Sequence, residues 1–148
     1  MADVIQLTCP ICVAINRIPA DRLQQTPLCG KCRAELLPAK PVQVTDQNFD
    51  RHIQHSELPV VVDFWAPWCG PCLSFAPVFE QVAANWPTPV RFFKLDTQAN
   101  SHTAARLQIR SIPTLALFYQ GKEQTRLSGA LPKSQFQQWL QQQLRSLQ

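Results

Sequence analysis

All six cysteines of this 148-residue chain fall in C-x-x-C pairs: Cys9/Cys12, Cys29/Cys32 and Cys69/Cys72. Two intervening residues bring one sulfur within reach of the next. That spacing suits a reversible dithiol–disulfide couple or half of a metal shell. For the third pair the flanks favour redox chemistry. Trp68-Cys69-Gly70-Pro71-Cys72 follows Val60-Val61-Val62-Asp63-Phe64-Trp65, a β-branched and aromatic run that predicts a buried central strand. It opens a stretch in which Phe75, Val78, Phe79, Val82 and Trp86 recur at helical spacing. A helix N-terminus offers unpaired N–H groups and the positive end of the macrodipole, which stabilise a thiolate. Only the thiolate attacks a disulfide. Cys69, the more N-terminal, is the expected nucleophile, and Cys72 the thiol that resolves the mixed disulfide. Gly70 and Pro71 fit a tight helix entry, where the missing proline N–H is not needed.

The other four cysteines form C-x2-C-x16-C-x2-C, from Cys9 and Cys12 to Cys29 and Cys32. Two such knuckles complete a tetrahedral four-thiolate shell suited to zinc. Iron uses the same ligands. Pro10 and Gly30 fit the turns inside the knuckles. A module this small is expected to fold only with its metal.

The elements that must position these groups divide near Lys40. Pro38 and Pro41 resist helix and central strand, so residues 1–40 read as a metal module of little periodicity and 41–148 as a separate domain. In the second part Val42–Val44 predicts a short strand and Thr45 a helix N-cap, with Phe49 and Ile53 on one face. After the central strand comes a helix over 69–86, kinked at Pro77. A strand over 90–96, a short helix over 101–107, a strand over 114–119 and another over 123–127 follow. A last helix begins near Pro132, with Phe136, Trp139, Leu140, Leu144 and Leu147 inward. This alternation predicts an α/β fold, a sheet covered on both faces.

VVDFWAPWCGPC, from Val61 to Cys72, with Pro77 beyond it, resembles the active-site segment of the thioredoxin family. Ser111-Ile112-Pro113-Thr114 and Gly129-Ala130 resemble its two other surface loops, in the same order. The resemblance covers 41–148, and the four-cysteine extension narrows it to the thioredoxin 2 type, with an N-terminal zinc module. It implies a thioredoxin fold, a central mixed sheet flanked by helices, behind a small zinc-ribbon-like module. It implies a protein disulfide reductase that cycles a Cys69–Cys72 disulfide, acts on disulfide-containing client proteins and is recharged by an NADPH-dependent thioredoxin reductase. Asp63 matches the buried carboxylate that exchanges a proton with Cys72, and Lys94 the lysine that approaches it. Pro113 matches the family's cis-proline. Trp68, Gly70, Pro71, Ile112, Pro113, Gly129 and Ala130 match the client-binding platform. Leu73, Pro67, Thr97 and Ser128 depart from the family pattern and bear on client preference. Gly-Pro between the sulfurs resembles reductases more than oxidants. A regulatory zinc module responding to oxidative stress fits the four-cysteine extension.

Hydrophobic content of 45% and charged content of 16% fit a soluble globular protein. The net charge of +4 is dispersed, with no run of like charge, which argues against nucleic acid or an anionic membrane as partner. Residues 1–7 show no signal-peptide pattern, and a cytoplasmic location is expected, where thiols stay reduced. His52, His55 and His102 are expected to have ordinary surface roles. A pure binding module on the same fold is the competing function; retention of both sulfurs in WCGPC favours the reductase.

Overall fold

A computed structural model describes residues 3–147. The chain opens with a hairpin of β1 (Val4–Thr8) and β2 (Ile15–Pro19), paired antiparallel from Val4↔Pro19 to Thr8↔Ile15. The four cysteines frame its far end. β3 (Val42–Val44), α1 (Phe49–Gln54), β4 (Val60–Trp65), α2 (Gly70–Asn85), β5 (Arg91–Asp96), α3 (Ser101–Arg106), β6 (Thr114–Tyr119), β7 (Lys122–Ser128) and α4 (Lys133–Arg145) follow. The five strands form one sheet in the order β3-β5-β4-β6-β7. β3, β5 and β4 run parallel, β6 is antiparallel to β4, and β7 is antiparallel to β6. This is the mixed sheet expected.

Successive strand residues face opposite sides, so β4 feeds two cores. Val60, Val62 and Phe64 pack with Phe49 and Ile53 of α1. Val61 packs with Phe75, Phe79, Phe136 and Leu140 of α2 and α4. Asp63 shares the parity of Val61 and therefore the α2 side.

Several expectations need correction. Asn48, not Thr45, occupies the N-cap position of α1, with no side-chain bond to the helix N–H groups. The Asn48 Oδ1 accepts from the Thr45 N–H at 2.8 Å, closing a turn ahead of the helix. The helix expected over 69–86 is α2, with Pro77 inside it, and the proline leaves the Leu73 carbonyl without its helical donor. Pro132 is the N-cap of α4 and lies outside its first turn. In the knuckles the left-handed residues are Val13 (φ 62°) and Arg33 (φ 71°), which follow Cys12 and Cys32; Gly30 has no such φ.

The largest correction is His52. Its side chain is fully buried, with Nδ1 2.6 Å from the Thr8 Oγ1. β1 of the N-terminal segment packs over α1 and supplies that cover. Arg91 is buried at the same junction. It donates to the Thr8 Oγ1 at 2.8 Å, the Thr8 carbonyl at 2.7 Å and the Ser56 Oγ at 2.8 Å. Leu7, Leu23 and Leu58 form a small apolar cluster beside it.

Candidate active site and metal centre

The carboxyl end of β4 delivers the first pair of sulfurs. Cys69 is the N-cap of α2, with extended backbone (φ −90°, ψ 111°), and Pro71 lies in the first turn. Cys69 and Cys72 form a disulfide with Cα atoms 5.2 Å apart. The Cys69 Sγ accepts the Cys72 backbone N–H at 3.2 Å. It also lies 3.8 Å from the Ile112 carbonyl. Cys69 is 5% exposed and Cys72 1%, so Cys69 is the less buried residue of the pair.

Asp63 is fully buried, and neither carboxylate oxygen has a hydrogen-bond partner. Burial pushes its pKa up to about 7, against the opposing pull of the Lys94 charge. Lys94 pairs with Asp63 in the parallel register of β4 and β5. Its Nζ sits 4.5 Å from the centroid of the Trp65 ring. Among the described residues no ion pair joins the two. Trp65 packs under the sulfurs with Ala66 and Ile112.

The Ile112–Pro113 peptide bond is cis. A groove of about 580 Å³ beside the sulfurs brings together Trp68, Gly70, Pro71 and Ile112 from the expected platform. Trp68 is 70% exposed. Pro113, Gly129 and Ala130 lie outside the groove lining. Gly129, whose φ of +112° suits only glycine, donates its N–H to the Pro113 carbonyl at 2.9 Å. Arg110 lines the groove and is its one charged residue. The sequence reading missed it, because an exposed arginine in a loop carries no local signal.

The second site stands on two matching knuckles. The Val13 N–H donates to the Cys9 carbonyl and the Arg33 N–H to the Cys29 carbonyl, each at 3.0 Å. The Cys9 Sγ accepts from the N–H groups of Ile11 and Cys12, and the Cys29 Sγ from the Lys31 N–H and the Asn16 amide. The Cys32 backbone N–H, then the Asn16 amide, hold the Cys29 thiol below its ordinary range. All four sulfurs lie within 4.8 Å of one another. Cys9–Cys32 and Cys12–Cys29 are the close pairs, at 3.5 and 3.7 Å. A tetrahedral shell with ~2.3 Å metal–sulfur bonds has sulfur–sulfur edges of ~3.8 Å. The donor set and its spacing therefore fit a tetrahedral metal.

Comparison with known proteins finds family matches over both parts of the chain. The family model described as Thioredoxin matches residues 40–142. A zinc-ribbon model described as Thioredoxin 2, N-terminal, matches residues 8–34. Thioredoxin C-3 of Corynebacterium nephridii is 47% identical over 142 residues, covering 96% of this chain and 97% of its own. A thioredoxin of Synechocystis sp. is 47% identical over 92 residues, 62% of this chain and 86% of its own. Thioredoxin 1 of Nostoc sp. is 42% identical over 102 residues, 69% of this chain and 95% of its own. The chain belongs to the thioredoxin family, with a zinc-ribbon segment ahead of the thioredoxin domain, and is a protein disulfide oxidoreductase.

Proposed function

We propose that Cys69 attacks client disulfides and that Cys72 resolves the product. The Cys69 thiolate displaces one client sulfur as a thiolate and forms a mixed disulfide. Cys72 gives its proton to the Asp63 carboxylate and attacks the Cys69 sulfur. The Cys69–Cys72 disulfide forms, and the second client sulfur leaves and takes up a proton. Two electrons pass to the client. The observation that carries this reading is the Cys69 sulfur at the α2 N-cap, accepting the Cys72 N–H, on the same side of the sheet as a buried, unpartnered Asp63. Lys94 tunes that carboxylate through its charge. Trp68, Gly70, Pro71, Ile112, Pro113, Gly129 and Ala130 form the platform on which an extended client chain rests. Recharging by an NADPH-dependent thioredoxin reductase completes the cycle.

Residues 1–40 are the metal module and 41–148 the thioredoxin domain in this reading. Cys9, Cys12, Cys29 and Cys32 hold one zinc, which when bound cross-links the two knuckles and supplies the folding energy that so small a core lacks. Loss of the metal to oxidants would make the module a regulator of activity or client choice under oxidative stress. A cytoplasmic location fits the cysteine usage. No nucleic-acid or membrane partner is proposed; no described helix is long and apolar enough to cross a membrane.

Insulin reduction with dithiothreitol tests the assignment. Cys69→Ser abolishes it. Cys72→Ser leaves an attacking thiolate that accumulates mixed disulfides. Equal trapping by both variants would reverse or remove the assigned roles.

A further inference from the structure

β7 holds the segment that presents Ile112 and Pro113. At the upstream end the Arg126 guanidinium donates to the Leu107 carbonyl at 2.8 Å and to the Gln108 carbonyl at 3.3 Å, where α3 ends. Glu123 orients that guanidinium. At the downstream end Ser128 pairs with Thr114 in the cross-strand register. Three hydroxyl groups meet there.

The Ser111 hydroxyl donates to the Ser128 Oγ at 3.1 Å. The Thr114 hydroxyl donates to the Ser111 carbonyl at 2.6 Å. The Thr114 Oγ1 and Ser128 Oγ are 3.0 Å apart. A hydroxyl has one proton to give. Thr114 has given its proton to Ser111, so Ser128 must donate to Thr114. The ring closes with every donor used: Ser111 to Ser128, Ser128 to Thr114, and Thr114 back to Ser111. Thr114 is buried, and its hydroxyl needs this partner. Ser111 and Ser128 are exposed, and water could have served them instead.

The ring brackets Ile112 and Pro113 from both sides. These residues precede β6 and have no ladder partner of their own, apart from the Gly129 N–H on the Pro113 carbonyl. The Ile112 carbonyl is the one facing the Cys69 sulfur. We propose that the Ser111–Ser128–Thr114 ring fixes this segment so that an extended client backbone can pair with it, and that Ser128, its bridging member, is a positioning residue for peptide disulfides. The proposal rests on the reading of Ile112–Pro113 as part of the client platform. Ser128 touches no reacting atom, so it acts on recognition and leaves sulfur chemistry alone.

Valine and threonine at 128 have the same shape and differ by one hydroxyl, which separates the ring from strand propensity. Ser128→Val and Ser128→Thr are compared with the parent protein on two substrates. One is insulin; the other is dithiobisnitrobenzoate, a disulfide without a peptide backbone. The expected result for Ser128→Val is an insulin KM raised by about two- to tenfold, the worth of one net hydrogen bond. The kcat and the rate with dithiobisnitrobenzoate stay at the parent values, and Ser128→Thr restores the KM. An unchanged insulin KM in Ser128→Val would overturn the proposal. Equal slowing on both substrates would also overturn it, by showing a general structural defect. A parent protein that reduces dithiobisnitrobenzoate but fails on insulin would overturn the client-platform reading itself.

Discussion

The Arg91 Nη2 donates to the carbonyl of Thr8 at 2.7 Å, so a buried cation of the central sheet is bonded one residue away from Cys9. The same guanidinium stacks over the Phe93 ring at 4.9 Å. Burial pulls its pKa down to about 10, which still leaves it charged at neutral pH. Arg91→Met keeps the apolar stem and removes the donors. The Thr8 carbonyl and the Ser56 hydroxyl then lose the guanidinium, while the Thr8 hydroxyl keeps His52. A buried acceptor left without a partner costs about 1–3 kcal/mol. Denaturant unfolding should show a loss of that size. Zinc transfer to a chromogenic chelator should also be faster, because β1 loses an anchor beside the first ligand. Chelation at the parent rate would mean that the junction does not hold the knuckle.

Deleting residues 1–40 should leave a folded domain that still reduces insulin. Residues 41–148 contain all five strands of the main sheet and both of its large cores. The truncated domain should nevertheless melt at a lower temperature. Leu58 loses its apolar neighbours Leu7 and Leu23, and His52, Ser56 and Arg91 lose Thr8. Water can solvate these groups, so the penalty is a weakening and not a collapse. Circular dichroism and thermal melts of the two chains decide the matter; an unfolded fragment would show that the module belongs to one inseparable core.

Asp63→Asn tests the buried carboxylate. In the unfolded chain Asp63 ionises near 3.8, but in the fold burial holds it to about 7. Between these values the native state binds the extra proton, so stability falls as pH rises from about 4 to 7 and is level above. The asparagine variant lacks that fall. It should be more stable than the parent at pH 8, by on the order of 4 kcal/mol as an upper bound, and equal to it near pH 4. His52 titrates in the same window with the opposite sign. Burial, then the charges of Arg91 and Arg51, lower its pKa to about 4, so its contribution is lost as pH falls below about 6.5. With Asp63 gone, stability should rise with pH across that range. The resolution step should slow and lose its pH dependence near neutrality, read by stopped-flow decay of the mixed disulfide.

Peroxide should release the metal. Coordination keeps four sulfurs deprotonated and therefore oxidisable, while the ion shields them. Strong oxidant is expected to convert the ligands to disulfides and liberate one equivalent of zinc, followed with a chromogenic chelator. The module then disorders, because its folding and its metal binding are one process. Insulin reduction measured alongside should change in rate or client range. Zinc retained after Cys69–Cys72 has fully oxidised would make the ligands purely structural.

Most of the redox site was legible in the chain because it is local. Val60 to Trp65 and the helical spacing beyond Cys69 put the sulfurs at a strand-to-helix turn, and one helical turn joins them. The two cysteine knuckles are equally local, each closed by hydrogen bonds spanning four or five residues. Asp63 could be read as buried because its neighbours in sequence are Val and Phe.

His52, Arg91 and the ring at Ser128 were not legible. Thr8 and His52 are 44 residues apart, Thr8 and Arg91 83, and Ser111 and Ser128 17. Local periodicity places a side chain on a face of its own helix or strand, and it carries no record of what another segment lays over that face. The sequence alone therefore determined which sulfurs act together and which elements carry them. Only tertiary packing decided that the N-terminal four-cysteine segment shares a buried polar junction with the sheet, and that β7 holds the loop facing Cys69. Hydrogen bonds between distant segments exist only after the chain has closed on itself.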